Sequence, residues 1–354
     1  MRRCDVLIVG GGAMGSATAW QLARRGVDVV LLERFGRHHA NGSSHGATRI
    51  FRFAYSNPLY VQMAQGALPL WRELEQDSGE SLLDTTGGLD IGREADIAEI
   101  EGALGASGAH SERVDAADAS ERWPGIAIDG ADDVVLFQPD SGRLWAERTV
   151  SALQAQATHH GGEVRHHEPV VELSISTGHA RTDADEYLAE TIVVTAGAWV
   201  ADVLAGNEEA EGLPQFVVTR EQTFHFAPLD DDLAWPSFIH HRDGGAPAVY
   251  GLETPGEGIK VAEHGSGAVT DPDGRSFDVD EIGRQRVIRY VTERLPGVEP
   301  RPTTELTCLY TSTPDNGFVL ERRGRLVVGS ACSGHGFKFT PLIGQRLADL
   351  ATGG

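Results

Sequence analysis

An apolar run, Asp5-Val6-Leu7-Ile8-Val9, leads straight into Gly10-Gly11-Gly12-Ala13-Met14-Gly15. Those six residues spell G-x-G-x-x-G, and their surroundings constrain this chain more than any other feature. A helical stretch follows from Ala13 to Arg25, with Ala17, Trp20 and Leu22 among its apolar residues. Gly26 ends it, Val27 to Leu32 reads as a second strand, and Glu33 closes that strand 18 residues after Gly15. A lone glycine motif says little; strand, glycine turn, helix, strand and terminal acid together predict a dinucleotide-binding unit. Gly10 permits the tight turn, Gly12 lets the backbone approach a pyrophosphate, and Gly15 lets helix and strand pack closely. The helix N-terminus offers free N–H groups and a positive dipole end. Glu33 can accept hydrogen bonds from a ribose 2′-OH, which favours an unphosphorylated ribose. The competing reading is a tight structural turn in an unrelated α/β unit.

Beyond this unit the periodicity predicts helices over 61–75, 147–160 and 280–294, and a short helix with loops over the acid-rich 94–122. Strands are expected near Val164 and at Val170-Val171. Thr191 to Thr195 reads as a buried strand running into Ala196-Gly197-Ala198-Trp199. Residues 216–270 alternate as sheet does. Leu326-Val327-Val328 is a last strand, followed by a glycine-rich turn and a helix over 341–351. A length of 354 residues suits two domains, or one with a large insertion. The first unit and the last strand–turn–helix read as parts of one nucleotide-binding domain, with a substrate domain inserted between them. The fold class is α/β: a Rossmann-like domain plus an antiparallel-sheet domain.

Composition excludes several classes of function. With 40% hydrophobic and 23% charged residues the chain is globular, and no apolar run nears the ~18 residues of a membrane span. A net charge of −22 argues against nucleic acid and anionic membranes as partners. Only two of the 30 basic residues are lysines, Lys260 and Lys338. Where arginine covers every general need for positive charge, a retained lysine is needed as lysine. Acid excess with little lysine also suits solubility in concentrated salt. Three cysteines, Cys4, Cys308 and Cys332, with no C-x-x-C, predict neither a disulfide framework nor a zinc site. The fourteen histidines include adjacent pairs such as His38-His39 and His166-His167, read as mostly solvated loop residues; no metal is expected. The N-terminus runs directly into a strand with no signal-peptide pattern, so a cytoplasmic location is the expectation.

Three further segments carry a resemblance. They are Asn41-Gly42-Ser43-Ser44-His45-Gly46-Ala47-Thr48-Arg49-Ile50-Phe51-Arg52, Cys308-Leu309-Tyr310-Thr311, and Ser333-Gly334-His335-Gly336-Phe337-Lys338-Phe339. With the N-terminal fingerprint and Gly197-Ala198-Trp199, the chain resembles the monomeric sarcosine oxidase and N-methyltryptophan oxidase family, flavoenzymes of the D-amino-acid-oxidase-like fold. The resemblance implies FAD, a secondary amino acid and O2 as reactants, H2O2 as product, and a monomer. It implies an FAD-binding domain over 1–85, 145–215 and 308–354, and a substrate domain over 86–144 and 216–307. Cys308 matches the family's covalent flavin attachment; from the residues alone a buried, inert thiol is the default. Arg52 and Lys338 match the substrate carboxylate clamp, Arg49 the arginine over the flavin face, and Lys260 the lysine that activates oxygen. His264 and Tyr250 match active-site residues. Cofactor contacts are implied at Gly10, Gly12, Ala13, Met14, Gly15, Glu33, Arg34, Thr48, Val170, Cys308, Gly336, Phe337 and Lys338.

Arg49 and Arg52 sit in what reads as a glycine-led loop, where arginine suits bidentate recognition of a carboxylate. The backbone N–H groups of Ser330 to Phe337 are expected to face the pyrimidine end of the flavin, where reduction places negative charge. Several positions depart from the family. Asn57 stands in a shortened segment where many members have glutamate, Ser44 replaces a histidine, and Ile239 stands for a methionine. The chain also lacks the family's further C-terminal tail, which is expected to weaken the packing of the last helix. The implied activity is oxidation of an N-methyl or other secondary amino acid. The alternatives are a dehydrogenase of the same fold with another electron acceptor, and a non-catalytic flavin-binding subunit.

Overall fold

The computed structural model describes residues 1–128, 133–242 and 244–353. Arg2–Val9 forms a strand flanked in parallel by Val29–Leu32 on one side and Glu186–Val194 on the other, with Val9 opposite both Leu32 and Val194. All four residues of Val29–Leu32 are buried. Strands covered on both faces are apolar throughout rather than alternating, which is why 5–9, 27–32 and 191–195 stood out in the sequence. Glu163–Arg165 extends the parallel sheet beyond Val29–Leu32, and Leu326–Ser330 extends it beyond Glu186–Val194. The hairpin Val170–Ser174 and His179–Thr182 adds an antiparallel margin.

The helix Ala13–Ala23 is buried all round except at Met14. Such a helix lies inside a domain rather than on it. It packs against Ala146–His159 and Thr340–Thr352. Close approach to the last helix depends on a glycine: a Cβ on Gly344 would lie 2.5 Å from that of Ala17. Thr340–Thr352 is therefore fixed by the core, with Ile343, Leu347 and Ala348 fully buried.

A second, mostly antiparallel sheet runs in the order Ala268–Val269, Val217–Pro228, Gly258–Glu263, Val249–Thr254, Ser237–His240, Gly88–Gly92, Val134–Gln138, Glu112–Val114. Ser237–His240 is parallel to Gly88–Gly92. The strand Val298–Ser312 pairs with Val217–Pro228 over nearly its whole length. The expected boundary at 307/308 falls inside that strand, and residues 308–312 pair with 217–221, so Cys308 belongs to this sheet. One face packs Phe224, Phe226 and Phe238 with Val287, Tyr290 and Val291 of the helix Glu281–Arg294. Residues that alternate with these, among them Thr223, His225 and Ile239, line a cavity on the opposite face. A small third sheet, Thr48–Phe51, Gly142–Trp145 and Leu83–Asp84, is a separate unit. Arg49 thus lies on a short strand and not in a loop; its flanking glycines and serines hid a four-residue element.

Asn57 caps the helix Pro58–Ser78, its side chain accepting from the Leu59 N–H. That gives the residue a local role independent of any family glutamate. Among the described residues, no helix is long and apolar enough to cross a membrane, and no three His, Cys, Asp or Glu converge as a metal-holding group.

Candidate active site

One cavity of about 980 Å³ joins the two halves, and it is lined at one end by Gly10–Met14 and at the other by Arg52, Lys260 and Lys338. The glycine end has the geometry the fingerprint calls for. Gly10 has φ +107, and its Cβ position is occupied by the Thr195 carbonyl. A Cβ on Gly15 would collide with the Gly10 carbonyl oxygen. The helix begins at Gly12, which has no side chain to cap it, and has no acid in its first turn; Ser44 Oγ accepts from the Ala13 N–H at 3.1 Å, and the positive dipole end points toward the cavity. Gly15→Ala should therefore yield protein without its nucleotide. The visible flavin absorbance per mole of protein reads this, and retention of full absorbance would count against the assignment.

Glu33 is buried and already accepts from the Gly11 N–H at 2.8 Å and the Phe35 N–H at 2.8 Å, one on each carboxylate oxygen. Each oxygen keeps a further lone pair for a ribose hydroxyl. Arg34 lines the cavity but pairs with Asp273 at 2.9 Å and stacks over Phe35 and Trp199. Met14, Thr48 and Val170 also line the wall. Ser43 Oγ, His45 Nε2 and both ring nitrogens of His166 are buried, lie on this wall and have no protein partner. Buried polar atoms without partners are rare in native proteins and mark where a bound group supplies the missing hydrogen bonds. The glycine cradle, the helix N-terminus behind it and these orphaned atoms fit FAD.

At the other end the alternate face of the second sheet forms the floor. Ile239 and His241 come from one strand and its end, Ala248, Tyr250 and Leu252 from the next, then Lys260 and His264, then Cys308 and Tyr310. Lys260 is 5% exposed and donates to the Thr48 carbonyl at 2.6 Å. Burial, with Arg49 second, pulls its amine down to about 7. Lys338 is 6% exposed and donates to Tyr55 Oη at 2.9 Å and the His335 carbonyl at 2.7 Å. Burial, then Arg52, holds its amine well below the ordinary lysine value. Both lysines of the chain are therefore buried cavity residues, which answers why they are not arginine.

Arg49 is fixed by three carbonyls, Thr48, Ser43 and His45, and stands over the Phe337 ring at 5.7 Å. Arg52 donates to the Ala54 carbonyl, sits 3.5 Å from Asp90, and lies 4.4 Å above Tyr55. Its Nε and Nη2 have no partner among the described residues, so part of the guanidinium fork is open. His264 sits 3.4 Å from the Tyr310 hydroxyl. Burial, then the charges of Arg52 and Lys338, pushes its imidazole down to about 4, so it is neutral at pH 7. Burial also raises the Tyr250 phenol, keeping it protonated. Burial lifts the Cys308 thiol to about 11, against the pull of Arg49. Cys332 also lines the cavity, and its sulfur accepts from the Thr311 N–H.

Two expectations need correction. The turn from Ser330 to Phe337 closes largely on itself: the N–H groups of Ser333, His335 and Gly336 bond to the carbonyls of Thr311 and Cys332. Fewer donors are free for a ligand than the glycine content suggested. The histidine pairs are split: His38, His159, His160 and His167 are exposed as expected, and His39, His166, His240 and His241 are not. His38, His39 and His166 line the cavity, and His240 is buried against Tyr290 while its neighbour His241 faces the cavity. Adjacent residues at a strand end point to opposite faces, so a pair reads as solvated only if the strand is missed.

Sequence reasoning passed over Tyr55, Asp90, His241, Tyr310 and Trp71. Trp71 is fully buried and its Nε1–H donates to the Lys338 carbonyl at 2.8 Å, fixing the backbone that carries the amine. Only Asp90, an acid inside the buried strand Gly88–Gly92, left a readable signal.

A family model described as FAD dependent oxidoreductase (DAO) matches residues 5–350. The chain is 30% identical to a monomeric sarcosine oxidase of Bacillus sp., over 99% of this chain and 93% of that protein. It is 31% identical to the peroxisomal sarcosine oxidase of Homo sapiens, over 98% and 92%. Among solved structures it resembles the open form of NikD, an unusual amino acid oxidase essential for nikkomycin biosynthesis. That match has a TM-score of 0.88 and 28% identity, over 99% of this chain and 94% of that one. Glycine oxidase from Geobacillus kaustophilus superposes with a TM-score of 0.82 over 99% and 95%, at 20% identity, a likeness of fold alone.

Proposed function

The chain belongs to the family of FAD dependent oxidoreductases and, within it, to the sarcosine oxidases and their relatives; on that premise we propose that it oxidises an N-methyl or other secondary amino acid, with O2 as acceptor. The observation that carries the substrate reading is the joining of a dinucleotide cradle and a buried cluster of Arg52, Lys260 and Lys338 in one cavity. Bound there, FAD would accept the hydride from the carbon next to nitrogen and transfer the electrons to O2, giving H2O2.

The chain's own residues bind, orient and shield. Gly10, Gly12, Ala13, Met14, Gly15, Glu33 and Arg34 would hold the nucleotide half, with Thr48 and Val170 along the wall. Cys308 would carry the cofactor covalently, with Gly336, Phe337 and Lys338 beside it. The open N–H groups of Arg52 and the remaining donor of Lys338 would grip the substrate carboxylate. That anion would offset the burial that depresses the Lys338 amine, so binding and protonation reinforce each other. Tyr250 and His264, both uncharged, would border the reacting amine and leave it free to be neutral. Arg49, held by carbonyls on one side, would present fixed positive charge to the cofactor's face. We read the two sheets as a cofactor half and a substrate half, the whole acting as a cytoplasmic monomer.

Oxidase action is tested by following H2O2 with a secondary amino acid in air against turnover with an artificial acceptor. Stoichiometric H2O2 supports the proposal; turnover with the artificial acceptor alone would make the protein a dehydrogenase. Covalent attachment has its own test. Acid-precipitated wild type should keep its yellow flavin in the pellet, and Cys308→Ala should release it, while Cys332→Ala should behave as wild type. Flavin lost entirely to the supernatant from wild type would refute attachment.

A further inference from the structure

His241 is a cavity-facing group that the roles above leave unused. It follows Ser237–His240 and lies two residues beyond Ile239, on the face that also carries Tyr250. Its Nε2 lies 2.9 Å from Oδ1 of Asp90, which is 3% exposed. Asp90 sits opposite Ile239 in the parallel pairing of the two strands. The same carboxylate oxygen lies 3.5 Å from Arg52 Nη1. One buried acid therefore anchors both an arginine of the clamp and an imidazole beside it.

This arrangement has a chemical consequence. With Asp90 accepting the Nε2 proton, the ring orientation is set, and Nδ1 has no partner among the described residues. The neighbouring imidazoles His264 and His335 are matched with Tyr310 and Tyr55 hydroxyls. An apolar substituent packed against His241 would cover its Nδ1 without pairing it. A hydroxyl there would donate to it, and a carboxylate would accept from it when the ring is the imidazolium paired with Asp90. A site built to bond a polar group discriminates against the analogue lacking it.

We propose that His241, seated on Asp90, is a specificity-determining residue that binds a second oxygen group of the substrate, carried on its N-substituent or side chain beyond the carboxylate at Arg52. This rests on the amino-acid reading of the same cavity.

The test uses flavin-loaded enzyme without oxygen and compares matched substrates by efficiency of flavin reduction. N-(2-hydroxyethyl)glycine and N-(carboxymethyl)glycine are set against N-propylglycine, and N-methylserine and N-methylaspartate against N-methylnorvaline. N-methylglycine is the reference. In wild type at least one polar member should exceed its apolar partner by about tenfold or more. His241→Leu should abolish that ratio, and His241→Phe serves if the leucine variant does not fold. A ratio within one protein is insensitive to how much of it is folded, so a merely structural role would not move it. Reduction by N-methylglycine with no polar preference, or with a preference that survives both substitutions, overturns the inference and leaves the amino-acid reading standing. If neither N-methylglycine nor any other probe reduces the flavin, the amino-acid reading itself fails, and the inference with it.

Discussion

Lys260→Met should leave anaerobic reduction of the flavin by substrate close to wild type and slow reoxidation by O2 about 10²–10³-fold, the scale for removing one fixed stabilising group. The first electron transferred to O2 creates a small anion, and Lys260 is a buried cation on the cavity wall with one hydrogen bond to hold it. Methionine keeps much of the stem's volume and removes the charge. The effect should also depend on pH. Burial brings the amine down to about 7, so the ammonium is complete below that value and lost as pH rises through it. An anion in the cavity shifts the loss upward. Reoxidation in wild type should thus fall toward alkaline pH, and the methionine variant should show no such fall. Stopped-flow measurement of the two half-reactions decides it; reoxidation of Lys260→Met at the wild-type rate would remove this residue from the oxygen step.

Arg52→Ala should affect the other half-reaction. A hydrogen bond to a charged group contributes about 1.5–3 kcal/mol, which corresponds to roughly ten- to 150-fold in the efficiency of anaerobic reduction. Asp90 and the Ala54 carbonyl hold one edge of the guanidinium, leaving Nε and Nη2 for the substrate. Arg52→Lys should recover only part of the loss, because a point charge cannot reproduce the fork. Amines lacking a carboxylate should be poor substrates in wild type and nearly unaffected by the substitution. Equal reduction by an amino acid and its decarboxylated amine would dismiss the clamp.

The nucleotide-binding half was legible because its signals are local. A buried parallel strand is apolar along its length, and glycine spacing is set by backbone contacts within a few residues of it. The lysines were legible for a different reason: with arginine used elsewhere, scarcity singled out two residues that both turned out buried in one cavity. The substrate half was harder. Two of its site-bearing strands, Gly88–Gly92 and Ser237–His240, are short, and their pairing joins segments far apart in sequence. Register decides which alternate residues face the cavity, and nothing local records it. His241 was invisible for that reason, Asp90 showed only as an acid inside a buried strand, Tyr310 stood in a motif without a role, and Tyr55 was hidden because its partner Lys338 lies far along the chain. The expected 307/308 boundary lies inside the strand Val298–Ser312, whose continuous pairing with Val217–Pro228 leaves no local mark in the sequence.

The measurement closest to the central claim is spectroscopic. Flavin-loaded enzyme is mixed without oxygen with N-methyl and cyclic secondary amino acids, and its visible absorbance is followed. Bleaching by at least one of them, with full return of the absorbance and release of one H2O2 per flavin on admitting O2, is the predicted result. An absorbance unchanged by every amino acid tried, in protein that keeps its flavin, would contradict the account.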